Sequence, residues 1–559
     1  MSLLLWLGLA CLPEPYLVGG KGGGDSAEPS DGTDGTDGAE GSDGADGTDG
    51  ADGTDGGDGV DSGADGGGDS GDDPSTIDSD GDGHSPAEGD CDDTDDTVHP
   101  GAEDVCGDGV DQDCVPDCRR VGELNADADP GFAEYYNGSD GSWGTVHALG
   151  DLDGDGFAEV GLSAANADCA STTTVYGFSG PIRDGEVRPS GSFDALWEAP
   201  GDRRVCGISV GDEVVVMAVT LDTDDSAEVG GLSIWPYDAT DWASDHTADL
   251  ATGALAAGEP SQNFGFRLHF VEDLDGDGLR DLLVPNSGAT VGSTPGAGAV
   301  QVISGGDLRL ADEGSVLDYA VTYEGNTTTG YFGASADAAD LDLDGYAELI
   351  IPAMANGADG HNVGALYLFS PDGSPADTAC DRAEEIWTFP EEVGGPTDFG
   401  WTVRVAELSG DGHPDIVVGA PVYPDYTEQS GALYFFAGPF EGGYRTVDPA
   451  LNLLVEGGSA SDHVGWVLDT GDFDGDGGKD LLYARSAAWS SYAEGPPAAV
   501  VTYNPVGGTP DLTISGPTDH AWFGYSAAFA GDVDGDGSSD VLIGDGSAGR
   551  AFLALGAVE

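Results

Sequence analysis

An acidic nine-residue segment recurs seven times between residue 151 and the end of the chain. Each copy follows a residue–glycine pair and precedes a β-branched run, and the copies start 69, 53, 67, 67, 65 and 60 residues apart. A unit of that length is too long for a helical solenoid repeat and fits a sheet of about four strands. Because such sheets bury both faces only by stacking on their neighbours, the repeat predicts an all-β fold, a seven-bladed β-propeller of four-stranded blades. The copies read DLDGDGFAE from Asp151, TLDTDDSAE from Thr220, DLDGDGLRD from Asp273, DLDLDGYAE from Asp340, ELSGDGHPD from Glu407, DFDGDGGKD from Asp472 and DVDGDGSSD from Asp532.

The composition of these segments is that of a calcium loop. Carboxylates at positions 1, 3, 5 and 9, the backbone carbonyl of position 7 and a glycine at position 6 allow a tight turn to surround one hard cation. Ca²⁺ takes six to eight oxygen ligands at about 2.3–2.6 Å. For a single copy, an Asp-Gly hairpin that needs no ion is an equal alternative. Five complete copies at one register favour calcium.

The copies differ in quality, and five to six Ca²⁺ ions are expected in the propeller. The segment from Glu407 has serine at position 3 and should bind more weakly, and the segment from Thr220 lacks the first carboxylate and the glycine and should be empty or poor. The predicted ligands of the five complete loops and of the Glu407 loop are Asp151, Asp153, Asp155, Phe157, Glu159, Asp273, Asp275, Asp277, Leu279, Asp281, Asp340, Asp342, Asp344, Tyr346, Glu348, Glu407, Ser409, Asp411, His413, Asp415, Asp472, Asp474, Asp476, Gly478, Asp480, Asp532, Asp534, Asp536, Ser538 and Asp540.

The pattern resembles the FG-GAP repeat, which builds the β-propeller of integrin α subunits. The resemblance covers residues 126–559 and is specific for the fold but not for the function, since propellers serve adhesion, scaffolding and catalysis alike. Its third-strand signature recurs as GAVQVISG, GALYLFS and GALYFFAG. The aromatic–glycine pair stands at Trp143-Gly144, Phe264-Gly265, Phe332-Gly333, Phe399-Gly400 and Phe523-Gly524, with Cys206-Gly207 and Val464-Gly465 as departures.

The ends of the propeller are expected to meet. The chain ends at AFLALGAVE, which corresponds to the third strand of the last blade. The segment 131–138 has the pattern of an outer strand and precedes the first aromatic–glycine pair. We therefore expect it to complete blade seven and close the ring, as the family resemblance also implies. Closure removes exposed sheet edges.

The N-terminal part differs in composition. Between Gly22 and Cys118 there are 32 acidic residues and no Lys or Arg, and within the segment 21–74 residues 24–73 are near-repeats of DGTDG and DGADG. Such a segment has too few apolar side chains to offset chain entropy. It is predicted to be a disordered acidic linker, acting as a spacer or as a weak collector of calcium.

Residues 75–120 predict a small module rich in Asp and Cys. Its DCDD, PGAE-x-C and DG-x-D-x-D-C elements resemble the metal-binding motif of bacterial surface proteins of the MopE type. Two disulfides with one or two Ca²⁺ ions are favoured over zinc, since there is no CxxC pair. The candidate metal ligands are Asp78, Asp80 and Asp82, and the candidate disulfide cysteines are Cys91, Cys106, Cys114 and Cys118.

The first twenty residues indicate export. The run MSLLLWLGLAC is too short to span a bilayer and ends in an approximate lipobox at Cys11, a candidate for lipidation. An ordinary or truncated export signal is the alternative. The expected location is the bacterial outer membrane or cell surface, as a lipid-anchored protein without a transmembrane segment, or the secreted fraction.

The function expected from the sequence is ligand binding or adhesion at the cell surface by a monomer, with an extracellular protein or glycan as partner. A net charge of −90 excludes nucleic acid and anionic membranes as partners. No catalytic motif is present, so an enzyme is not expected; a propeller enzyme acting on polysaccharide and a purely structural surface protein are the alternatives. Loop aromatics Tyr423, Tyr426, Trp489 and Tyr492 are candidates for the ligand face, and Cys169 and Cys206 for a disulfide at one blade boundary.

Overall fold

The computed structural model describes a few positions between 79 and 99 and most of residues 122–556. Gaps in the second range fall at 127–131, 137–142, 165–173, 184–185, 190–191, 199–203, 213, 224–226, 237–244, 248–262, 310–320, 355–363, 371–382, 384, 389–396, 425–428, 441–443, 449–451, 486–496, 504–511, 517–521 and 547–548. The signal region 1–20 and the linker 21–74 lie outside the described residues. So do the predicted site residues Cys11, Asp78, Asp80, Asp82, Cys91, Cys106, Cys114, Cys118, Cys169, Tyr426, Trp489 and Tyr492.

Seven sheets form the blades, and their strands pair antiparallel in chain order. The only helix among the described residues is the single turn Gly305–Arg309, so the predicted all-β, seven-bladed propeller is confirmed. Blade 1 contains Trp143–Gly150, Glu159–Ala164, Thr174–Phe178 and Ala195–Glu198; blade 2 Arg204–Gly211, Val214–Thr223 and Ala227–Pro236; blade 3 His269–Val271, Asp281–Asn286, Ala299–Ile303 and Val321–Glu324; blade 4 Asp337–Ala339, Glu348–Ala353, Ala365–Phe369 and Glu385–Thr388; blade 5 Thr402–Ala406, Asp415–Ala420, Ala432–Phe436 and Leu453–Glu456; blade 6 Leu468–Gly471, Asp480–Arg485, Ala498–Thr502 and Leu512–Ser515.

Blade 7 joins the two ends of the propeller. Its first three strands are Phe523–Gly531, Asp540–Asp545 and Arg550–Ala554, and its fourth is Phe132–Tyr136 from the start of the propeller. In that antiparallel pair Ala133 lies opposite Leu553. The predicted closure by the segment 131–138 is therefore seen in the strand pairing.

Four blades carry a fifth, outermost strand that pairs in parallel, a feature that the repeat did not predict. Gly122–Asn125, just before the predicted start at residue 126, pairs with the last strand of blade 6. Asp245–Thr247 joins blade 1, Tyr444–Thr446 joins blade 4 and Val187–Pro189 joins blade 7. Val187–Pro189 and Tyr444–Thr446 come from the connections between the third and fourth strands of blades 1 and 5. All four short strands cover sheet edges that would otherwise be exposed.

The hydrophobic core is divided among the boundaries between blades. Seven clusters of buried side chains each join two neighbouring blades, including the pair formed by blades 7 and 1. Phe332 and Phe399 of the repeated aromatic–glycine pair are almost fully buried in two of these clusters. Burying a side chain of this size stabilises the fold by about 1.5–3 kcal/mol. The repeat thus places one aromatic anchor at each of several blade boundaries.

The structure of blade 2 differs from the prediction that the segment from Thr220 forms an acidic loop. The acidic segment from Thr220 is not a loop between the first two strands, because residues 220–223 continue the second strand and pair with residues 227–230 of the third. The first two strands are instead joined by a tight turn in which Gly211 pairs with Val214, and this turn is too short for a nine-residue loop. Blade 2 therefore lacks the acidic loop of the other blades.

Candidate metal centres and the central channel

The acidic loops connect the first and second strands of six blades and share one backbone conformation. In blade 1, Asp151 folds back on its own loop: Oδ1 accepts hydrogen bonds from the amides of Gly154 (2.7 Å) and Asp155 (3.2 Å), and Oδ2 from Gly156 (3.1 Å). Gly154 and Gly156 have φ of 74° and 97°, a region that favours glycine. The Asp-Gly repeat therefore specifies a loop whose carboxylates point inward.

The ninth residue attaches the loop to the blade. Glu159 is fully buried, and its Oε2 accepts a hydrogen bond from the amide of Leu152 at 2.5 Å. The second residue is itself a buried apolar side chain, which fixes the start of the loop against the core. The same bond recurs in the other five loops, from Leu274 to Asp281, Leu341 to Glu348, Leu408 to Asp415, Phe473 to Asp480 and Val533 to Asp540.

Five loops bring three carboxylates together. In each, one oxygen per residue lies within 4.8 Å of the others, and the groups are Asp151, Asp153 and Glu159; Asp273, Asp275 and Asp281; Asp340, Asp342 and Asp344; Asp472, Asp474 and Asp480; and Asp532, Asp534 and Asp540. Two buried oxygens, Glu159 Oε1 and Asp472 Oδ1, accept no hydrogen bond from a described residue. The donor set consists of carboxylate oxygens, which suit a hard cation. These five are the loops that the sequence predicted to be complete.

The carboxyl group at position 9 of the acidic loop has surroundings that disfavour its charged form. Burial and the charges of Asp153, Asp151 and Asp155 together raise the pKa of Glu159 to about 8, against the hydrogen bond from Leu152. Burial together with loop carboxylates raises the pKa of Asp480 to about 7 and that of Asp281 to about 6. A cation among these groups would offset both the burial and the repulsion.

The loop that begins at Glu407 has the same conformation but a different donor set. Glu407 Oε1 accepts from the amides of Gly410 and Asp411, and Asp415 is fully buried. Among the described residues, however, its acids form no cluster of the kind found in the other five loops. Position 3 is Ser409, so one carboxylate is lacking there, as the sequence indicated.

The first strands of all seven blades surround a central channel with a cavity of about 620 Å³. Four consecutive blades each contribute one ionisable side chain to it, alternating between basic and acidic types: His269, Asp337, Arg404 and Asp469. His269 Nε2 lies 3.4 Å from Asp337 Oδ1, and Arg404 Nε lies 3.1 Å from Asp469 Oδ1. Sequence analysis missed this charge ladder, whose only signal is that the four residues occupy one position of the repeat.

The remaining predicted residues lie away from the acidic loops. Tyr423 is half-buried and packs against Tyr434 at 6.1 Å between ring centroids, so part of its role is packing. Tyr331 and Trp522, beside two of the aromatic–glycine pairs, are 36% and 38% exposed. Cys206 takes part in a disulfide; its predicted partner Cys169 is outside the described residues, so the pairing stays a prediction.

Comparison with known protein families agrees with this architecture. The family model "FG-GAP repeat" matches residues 264–303 and 399–436, which fall in blades 3 and 5, and the model "Putative metal-binding motif" of the MopE type matches residues 90–117. The chain is therefore a β-propeller with FG-GAP repeats, preceded by a MopE-type motif.

Curated relatives share this propeller over part of their length. Human phosphatidylinositol-glycan-specific phospholipase D is 28% identical over 205 residues, which are 35% of this chain and 24% of that protein. Integrin alpha-PS5 of Drosophila melanogaster is 27% identical over 277 residues, which are 48% of this chain and 24% of that protein. The chain thus matches about a quarter of the length of these relatives.

Among solved structures, the β-propeller domain of the Trilobed protease from Pyrococcus furiosus covers 61% of this chain and 79% of its own, with 11% identity and a TM-score of 0.30. The fold assignment rests on the strand pairing described above. In the part of the chain that the structure describes, no helix is long and apolar enough to cross a bilayer.

Proposed function

We propose that this chain is a calcium-binding β-propeller that acts outside the cell as a ligand-binding or adhesion module. The observation that carries the proposal is the carboxylate cluster repeated at one place in five blades. Repetition at equivalent positions is hard to explain by solvation alone, since four of the five clusters include a buried acid whose repulsion by its neighbours destabilises the fold without a cation.

In this proposal the carboxylates at positions 1, 3, 5 and 9 hold Ca²⁺, and the ion stabilises the hairpin between the first two strands. Beyond the clusters, Asp155, Asp277 and Glu348 supply further oxygens in the loops of blades 1, 3 and 4. Millimolar calcium outside the cell suits sites of this kind, and it agrees with the expected export signal and with a disulfide at Cys206. The ligand-binding role draws on the likeness to integrin α subunits.

A count of bound calcium tests the metal part. The purified chain, equilibrated in millimolar calcium and analysed by atomic emission after correction for the free calcium of the buffer, is expected to hold five ions in the propeller. Deletion of residues 1–121 removes the MopE-type motif and distinguishes its ions from those of the propeller. Fewer than three ions in the truncated chain would contradict the proposal.

Affinity capture from the native cell envelope tests the binding part. The calcium-loaded chain is expected to retain a protein or glycan that a chelator releases. Capture that is identical with and without chelator would separate ligand binding from calcium, and an absence of any retained ligand would favour the purely structural alternative.

A further inference from the structure

One arginine in the channel, Arg267, differs from the other arginines in its partners. Arg267 of blade 3 reaches over blade 4 to blade 5: its Nη1 donates to the carbonyl oxygen of Ala334 in blade 4 and to that of Trp401 in blade 5. Arg188, Arg280, Arg404 and Arg550 each form an ion pair with a carboxylate. Arg267 forms none with any described residue, although the chain has 106 acidic residues against 16 basic ones.

The surroundings of Arg267 are aromatic. Its guanidinium lies 4.8 Å from the ring centroid of Trp401, which stacks on Trp466 at 4.3 Å. The ring centroid of Trp466 lies 6.1 Å from that of Tyr525, and the centroid of Tyr525 lies 5.8 Å from that of Trp522. We call Trp401, Trp466, Tyr525 and Trp522 the aromatic arc.

The fold explains why the arc is continuous. Trp401, Trp466 and Tyr525 each directly follow the residue–glycine pair of their blade, so blades 5, 6 and 7 place them in one layer. This layer lies at the start of the first strands, opposite the ends that carry the acidic loops. Trp522 extends the arc to the surface, where it is 38% exposed.

The arc offers hydrogen-bond donors that lack acceptors. Trp401 Nε1 is buried and donates to no described residue, and Nε and Nη2 of Arg267 donate to none either. Burial and the nearby charge of Arg404 lower the pKa of Arg267 to about 9, so it remains a cation at neutral pH. A carboxylate is the group that matches a guanidinium in geometry and charge.

We propose that Arg267 and the aromatic arc bind an acidic oligosaccharide, with a uronic-acid carboxylate on Arg267 and sugar rings over the partly exposed Trp401, Trp466 and Trp522. Tyr525 is buried and packs between Trp466 and Trp522. A sugar ring presents C–H groups that pack on an aromatic face, and an arc across three blades exceeds one ring in length. Five Ca²⁺ ions would offset about half of the charge of the 20 carboxylates in the five complete loops, and these loops lie at the other end of the strands from Arg267. The inference rests on the proposed ligand-binding function and names its ligand class.

The test uses the calcium-loaded full chain and isothermal titration with the α-1,4-linked trimer of galacturonic acid, with the neutral galactose trimer as its counterpart. The acidic trimer is expected to bind at least about tenfold more tightly than the neutral one. Arg267→Met is expected to weaken binding of the acidic trimer at least about tenfold. Arg183→Met, at an exposed arginine of blade 1, should leave the affinity for the acidic trimer unchanged. The unfolding temperature and calcium content report whether the variants are folded.

Trp522→Ala changes an exposed side chain and provides a second variant should Arg267→Met fail to fold; it is expected to weaken binding of the acidic trimer several-fold. Equal affinity for both trimers, or full affinity in the folded Arg267→Met variant, would overturn the inference. Binding of triglutamate in place of the sugar would also overturn it by assigning the site to a protein partner. Each of these outcomes leaves the calcium count, and with it the metal part of the proposed function, intact.

Discussion

At the scale of single residues, one loop departs from the glycine pattern. The fourth residue of the acidic loop is Gly154 in blade 1 and Gly276 in blade 3, and both have positive φ. In blade 4 the same position is Leu343, whose φ is 60° and whose side chain is 53% exposed. A left-handed conformation costs a branched residue about 1–2 kcal/mol, and an exposed leucine recovers little of it by packing.

Replacement of this leucine should therefore stabilise the propeller. Leu343→Gly is expected to raise the free energy of unfolding by about 0.5–1 kcal/mol, because glycine tolerates the left-handed region but loses more entropy on folding. Urea unfolding in saturating calcium provides the measurement. The reverse change, Gly276→Leu, should destabilise, and a destabilising Leu343→Gly would show that this conformation is not strained.

A second residue-scale prediction concerns pH and the charge ladder. Burial alone would raise the pKa of Asp337, but His269 and Arg404 together with hydrogen bonds lower it overall. A carboxyl with a lowered pKa stabilises the fold above its unfolded pKa of about 3.9 and loses that contribution as pH falls through the folded value. Asp337→Asn should therefore cost about 2 kcal/mol at pH 7.

The difference in unfolding free energy between the wild type and Asp337→Asn should shrink as pH falls below about 4. Asp212→Asn, at an exposed ion pair with Arg280, serves as the control and should cost less than about 1 kcal/mol. If the difference in unfolding free energy between the wild type and Asp337→Asn does not change with pH, the negative charge of Asp337 does not stabilise the fold, which would contradict the prediction.

At the scale of elements, the sequence predicted the acidic hairpins well and blade 2 poorly. The hairpins are local, since the Asp-Gly pattern sets both the turn and the ligand positions within nine residues. The segment from Thr220 carries similar letters but continues a strand, because the buried run Val214–Val219 places the second strand earlier. The parallel outer strands and the pairing of Arg404 with Asp469 join residues at least 49 positions apart, for which a repeat gives no pairing signal.

Each complete hairpin should act as an independent site. Asp275→Asn removes one carboxylate from the cluster of blade 3 and is expected to lower the calcium count by one while the other loops remain filled. Asp212→Asn lies beside the same hairpin but outside the cluster and should leave the count unchanged. A loss of several ions from the single change would show that the sites are coupled.

At the scale of the whole molecule, the ring is closed by residues more than 400 positions apart. Tyr135, in the strand that pairs with Arg550–Ala554, is fully buried in the cluster between blades 7 and 1. This closure gives every blade two neighbours and leaves no open end in the ring. The order of the repeats predicted this ring closure, because the last blade lacked an outer strand and the segment 131–138 before the first blade had the pattern of one.

Two truncations that both lack Gly122–Asn125 differ in this closing strand. Deletion of residues 1–126 keeps Phe132–Tyr136, so the ring stays closed and most of its unfolding temperature should be preserved. Deletion of residues 1–137 removes Phe132–Tyr136 and exposes the apolar edge of Arg550–Ala554, which should cause aggregation or a large loss of stability. Equal unfolding temperatures, measured by circular dichroism on monomeric fractions, would show that the ring closes without this strand.

The central claim is that the repeated carboxylate clusters bind calcium and that calcium stabilises the propeller. Thermal unfolding of the chain lacking residues 1–121, with bound metal removed by EDTA and verified by atomic emission, tests it most directly. Because binding to the folded state stabilises by mass action, the unfolding temperature should rise progressively as Ca²⁺ is added back, until about five ions are bound. An unfolding curve that is the same before and after verified calcium removal would contradict the claim.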